Sequence, residues 1–219
     1  MTIAFRHPIT AQVDDRANFL RRLLKEYPTY LKDWEDNTEK EFAQIANETS
    51  CGDKEIENDI FSSLCTTFNN DDYKMNMFYQ AIFLMCYSYY ESCIFKLNKE
   101  ANKKANKKAN KKDIIYDICK SQNIILSNDT IQAIDFMQHY INALRNDICH
   151  NNFGTFRNEP ILEELTKKDI GVNYNTKSCE LVISDPKFIE DTLDKMHMVL
   201  HELCEKMGYK TKMYPNDFK

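Results

Sequence analysis

The sequence predicts an all-α protein: a helical bundle with an N-terminal helical extension and one small β-hairpin before the last helix. Three observations lead there. Four glycines and five prolines in 219 residues are too few for the many tight turns of an all-β chain. Apolar residues recur at helical spacing over most of the length. At 42% hydrophobic and 12% aromatic, the chain has enough apolar mass for a real core.

Residues 13–47 read as one or two amphipathic helices, with Phe19, Leu20, Leu23 and Leu24 on one face and Leu31, Trp34, Phe42 and Ile45 further on. Pro28 is the natural separator. A turn over 47–53 leads to a helix carrying Ile56, Ile60, Phe61, Leu64 and Cys65, which the loop at 69–72 ends. From Tyr73 to beyond Lys99 runs a long helix that is apolar on almost every face, the pattern of a central core helix. Gln80, Ser88 and Glu91 form a narrow polar stripe on it, and Glu91 needs a partner.

Then comes a lysine-rich repeat, with three copies of ANKK. Residues 99–112 hold seven lysines and one acid, a local charge of +6 against −11 for the remainder. This insert is either a loop or fraying helix end, or an arm that attracts RNA through Lys103, Lys104, Lys107 and Lys108. A short helix at 113–121 follows, then a helix over 128–150 capped by the SNDT stretch at 127–130. The runs at 170–174 and 179–185 make the hairpin. From Pro186, the periodic set Phe188, Ile189, Leu193, Met196, Val199, Leu200 and Leu203 makes the last helix, ended by Gly208. The organisation is thus an extension (1–70), a main helical domain (71–208) and a tail (209–219).

The eight cysteines show no CxxC pair and several lie in apolar runs, which reads as reduced, structural thiols. No signal-like apolar run opens the chain and no window suits a membrane span, so the expectation is a cytoplasmic protein with no membrane contact. Metal and cofactor chemistry find no motif. His197 and His201 have zinc-compatible spacing but lack the HExxH glutamate, and they read as a surface or interface pair.

The polar groups that stand out are in LRNDICHNNFG, residues 144–154. Ile134, Met137, Ile141, Leu144 and Ile148 define the core face, and at about 100° per residue Arg145 falls inside it. An arginine rooted there must reach water or an acid, and Glu91 is the obvious acid. Asn146 shares another stripe with His139 and His150. His150 ends the helix, where the dipole favours imidazolium. Arginine can neutralise a phosphate and histidine can move a proton, so the pair suits metal-free cleavage of a phosphodiester by the substrate's own 2′-OH. That substrate is RNA. Residues i and i+5 differ by about 140°, so the helix must distort or two chains must meet across a two-fold axis. Spacing alone also fits a plain helical scaffold with a structural arginine.

The motif Arg145-x4-His150, with Asn146 directly after the arginine, resembles the Arg-x4-6-His motif of the HEPN superfamily. The order of a long apolar helix with an acid, a helix ending in RNDICHNNFG, a hairpin and a terminal helix is also similar, over about 70–208. The resemblance implies a homodimeric, metal-independent endoribonuclease with Arg145 and His150 catalytic, Asn146 assisting and Glu91 supporting. It further implies a toxin or anti-phage role with an antitoxin or regulatory partner. HEPN domains without activity serve in dimerisation or in nucleotide and partner binding, which is the alternative.

Overall fold

The computed structural model describes residues 2–5, 7–68, 71–102, 114–150, 158–177, 180–209 and 212–215. The side chains of residues 2–5, 67, 68, 71–73, 150 and 212–215 lie outside that description. In chain order the elements are β1 (Thr2–Phe5), α1 (Pro8–Thr49), α2 (Lys54–Phe68), α3 (Asp71–Ala101), α4 (Ile114–Gln122) and α5 (Asn128–Phe136). A π-helical turn (Met137–Ile141) then joins α5 to α6 (Asn142–His150), and α7 (Glu159–Lys167), β2 (Val172–Asn175), β3 (Glu180–Ile183), α8 (Pro186–Lys206) and β4 (Lys212–Pro215) follow. The described chain is all-α in class, with the small antiparallel hairpin directly before α8.

It divides into two compact units, one within residues 1–21 and 79–219, the other within 22–78. The core of the first is built where helices α1, α3, α5, α6, α7 and α8 bring apolar faces inward. Val13, Ala17, Phe83, Cys86, Leu97, Ile134, Ile141, Leu144, Leu162, Leu165, Leu193, Met196 and Leu200 are all buried. The whole α8 set read from the sequence, Phe188 to Leu203, is inside. Its ends follow local chemistry: the Asp185 carboxylate accepts from the Lys187 N–H at 2.8 Å, Pro186 opens the helix, and Gly208 takes a left-handed φ of +79° after it.

The hairpin buries Val172, Tyr174, Leu181 and Ile183 on one face, with Val172 opposite Ile183 and Tyr174 opposite Leu181. Period-two alternation makes this possible in strands of only four residues. The Gln80 amide of α3 donates to the Leu181 carbonyl at 2.9 Å, which ties the hairpin to the long helix.

The second unit is thinly cored. Leu24, Phe42 and Ala46 of α1 and Ser50 just after it are buried, Tyr27 stacks on Phe78 at 3.7 Å, and Lys74 reaches Glu35 at 3.7 Å.

Two expectations need correction. Pro28 does not separate two helices: α1 runs through it for 42 residues. The missing N–H removes one ladder bond, and the many remaining bonds of a helix this long carry it through. The long helix α3 is not buried all round, since Met77, Met85 and Phe95 are exposed; its neighbours cover only part of its circumference. Helix α7 and the pairing of β1 with β4 were not anticipated.

Candidate functional site around Arg145

Helix α5 starts as its sequence dictates. Ser127 is the N-cap, its Oγ accepting from the Thr130 N–H at 3.3 Å, and Asp129 sits in the first turn. Glu202 of α8 receives the Ser127 N–H at 2.9 Å and its hydroxyl at 2.8 Å, which anchors the helix start.

The π-helical turn then changes the angular register. The Asn142 N–H bonds back to the Met137 carbonyl, five residues away, so the turn holds one residue more than an α-helical one. Everything after it is rotated by about 100° relative to a straight α-helix. The straight-helix angle between Ile134 and Arg145 therefore does not apply, and the neighbours of α6 decide which of its side chains are covered. Arg145 is not within the buried stripe; its side chain is 31% exposed. The charge that is buried is Asp147, at 2%, while Ile148 is only half-buried.

From that position Arg145 is held on three sides. Nη1 donates to the Asn146 Oδ1 at 2.9 Å, Nη2 stands 3.7 Å from Glu91 Oε2, and the guanidinium carbon lies 5.2 Å from the centre of the Tyr87 ring. Tyr87 and Glu91 are one turn apart on α3, so both face the same point on α6. The Tyr87 hydroxyl donates to Asn142 Oδ1 at 3.2 Å, and the Asn146 amide reaches that oxygen at 3.5 Å. The five side chains close a ring of contacts between α3 and α6, with a half-exposed cation at its centre. Burial pushes the Tyr87 phenol up, and the Glu91 carboxylate adds to that while Arg145 opposes it. Tyr87 thus stays a neutral donor at neutral pH.

Arg145, Asn146 and Glu91, each singled out from the sequence, are therefore brought together. His150 is the last residue of α6, but its side chain lies outside the described residues. Because α6 is α-helical from Asn142 to His150, the two positions stand about 140° apart around its axis. Lys103, Lys104, Lys107 and Lys108 also lie outside the described residues. His139 is exposed on the π-helical turn, 3.7 Å from Glu164, which takes a short hydrogen bond from the Tyr140 hydroxyl. That bond holds the Glu164 carboxyl below its usual range against a small burial penalty, with Lys168 and His139 assisting.

Tyr87, Asn142 and Asp147 escaped the sequence reading. The first two carried a signal, since each sits four residues before a residue already singled out and so on the same helix face. Asp147 carried none, because at about 220° from Ile134 on a straight helix it reads as solvent-facing. Its Oδ2 accepts from the Asn158 N–H at 3.2 Å, joining α6 to the start of α7.

His197 and His201 sit one turn apart, their rings 5.9 Å from centre to centre. His197 Nε2 pairs with Asp14 Oδ1 at 3.0 Å and so bridges α8 to α1. Among the described residues no three His, Cys, Asp or Glu side chains cluster closely enough to hold a metal ion. All seven described cysteines are free, and Cys86, Cys93 and Cys204 are buried. No helix of the described residues is long and apolar enough to cross a membrane.

No family model, curated protein or solved structure matches the chain.

Proposed function

We propose that the chain is a HEPN-type endoribonuclease that cuts RNA without a metal, as a toxin or anti-phage effector, at a cleft completed by a second copy. The observation that carries this is the clasp on Arg145. Glu91, Asn146 and Tyr87 orient a guanidinium that still reaches solvent, the preorganised cation that a transition state with growing phosphoryl charge requires.

In the proposed step a ribose 2′-oxygen attacks the adjacent phosphorus, the bond from phosphorus to the 5′-oxygen breaks, and a 2′,3′-cyclic phosphate forms. Arg145 neutralises the equatorial oxygens. His150 takes the proton from the 2′-OH or supplies one to the departing 5′-oxygen. Asn146 and Glu91 act as positioning residues. Since Arg145 and His150 are about 140° apart on one helix, pairing the arginine of one chain with the histidine of another resolves the geometry. The lysines at 103, 104, 107 and 108 would draw the RNA in.

Glu91 also favours a second reading. A carboxylate 3.7 Å from the guanidinium already balances its charge, which suits a silent module that binds a nucleotide or partner. Incubating purified wild type and His150→Ala with RNA in EDTA separates the two. Cleavage by wild type alone supports the nuclease; intact RNA with wild type rejects it in favour of the silent module.

A further inference from the structure

Beyond Arg21, α1 buries few side chains and leaves one face to solvent. At about 100° per residue, Tyr30, Trp34, Glu41, Ile45 and Glu48 fall within about 60° of one another, a strip five turns long. Tyr30 is 65% exposed, Trp34 49% and Ile45 47%. Single exposed apolar residues are ordinary, but three large ones aligned at helical spacing make a face built to be covered.

The charge around the strip says by what. Residues 22–78 carry thirteen acidic side chains against six basic, a balance of −7 in a chain whose total is −5. Glu41 and Glu48 lie within the strip, Asp33 flanks it, and all three are exposed. Between Tyr30 and Glu48 no lysine or arginine of α1 falls within the sector, Lys32 and Lys40 standing about 160° and 80° from Tyr30. The chemistry is displayed once already: the Lys74 ammonium sits 5.3 Å from the centre of the Trp34 ring while pairing with Glu35. An aromatic ring beside carboxylates takes a cation on its face.

We infer that the Tyr30–Trp34–Ile45 strip is a docking surface for a cationic amphipathic segment of another protein. Its apolar side chains seat on the two aromatics and Ile45, and its lysines or arginines meet Asp33, Glu41 and Glu48. Nucleic acid is excluded from this face by its own charge.

Trp34 is the one tryptophan in the chain and reports directly on the strip. The full-length protein is titrated with three synthetic helical peptides: one of leucine and lysine with leucines at helical spacing, the same peptide with glutamate for lysine, and a lysine peptide without leucine. Saturable blue-shifted Trp34 emission with the first peptide alone is expected, weakened about tenfold in Tyr30→Ala/Ile45→Ala, as for loss of central apolar anchors. No shift with the leucine–lysine peptide overturns the inference, as does an equal response from the double variant, which would mean generic charge attraction. Trp34 emission that moves with protein concentration in the absence of peptide also overturns it, since a second copy would then be the occupant. Circular dichroism of the double variant, altered only at exposed positions, checks that its helices persist.

Discussion

Replacing Arg145 with lysine separates a catalytic guanidinium from a structural one. Lysine keeps the charge near Glu91 but loses the fork that also bonds Asn146 and the flat face that lies over Tyr87. With side chains 31% and 43% exposed, the ion pair contributes about 0.2–1 kcal/mol, much of which lysine retains. The cation–π contact adds about 0.5–1 kcal/mol and the bond to neighbouring Asn146 about 0.5–1 kcal/mol. Arg145→Lys should therefore cost about 1–2 kcal/mol, a melting shift of roughly 2–8 °C for a chain of this size. Against a typical stability of about 5–15 kcal/mol, such a loss leaves nearly every molecule folded. Cleavage should nevertheless fall by about 10²-fold or more, the usual cost of one preorganised charge-stabilising group. Thermal melts and single-turnover RNA cleavage on the same preparation read both quantities. A variant that cleaves within about threefold of wild type would refute the catalytic assignment. One that loses more than about 4 kcal/mol would mark Arg145 as a buried structural clasp.

Removing the buried carboxylate in Asp147→Ala should destabilise the chain by about 2–3 kcal/mol in urea titration, because the Asn158 N–H loses its acceptor. Asp147→Asn retains an acceptor and should lose less; equal losses would contradict this. In Gly171→Ala, the new Cβ would stand 2.5 Å from the Asp185 Cβ at a φ of +86°, so a loss of about 1–3 kcal/mol is expected, and a neutral melt would show that the backbone relaxes freely. Stability should also fall as pH rises above 9. Burial raises the Cys86 thiol to about 12 and Cys204 to about 11 from an ordinary 9.0, so the unfolded chain releases these protons first. The stabilisation is complete below pH 9 and erodes from there to about 11 for Cys204 and about 12 for Cys86, by at most about 1.4 kcal/mol per thiol per pH unit. Urea midpoints unchanged from pH 9 to 10.5 would contradict it.

Much of the helical framework was legible because long periodic runs overdetermine it. The apolar set of α8 has no other reading, and Ser127 and Pro186 mark helix starts by local chemistry alone. The meeting of Glu91 and Arg145 was also legible, from two charges stranded on apolar helices. Helix α7 escaped because nine residues with only Leu162 and Leu165 inside carry too little periodicity. The pairing of Thr2–Phe5 with Lys212–Pro215 joins segments some two hundred residues apart, and no local pattern announces that. The π-helical turn at Met137–Ile141 was the costliest omission. It has no composition signal, and it invalidates any angle carried from α5 into α6, where the packed neighbours leave Asp147 buried and Arg145 half-exposed.

The most direct measurement of the proposed chemistry is an RNA cleavage assay in EDTA with wild type, Arg145→Ala, His150→Ala and an equimolar mixture of the two variants after subunit exchange. Wild type should cut and each variant alone should not. The mixture should recover about a quarter of wild-type activity, since half of the dimers would hold one intact pairing of the two. Intact RNA with wild type would contradict nuclease activity, and a mixture as silent as its components would contradict a site shared between two chains.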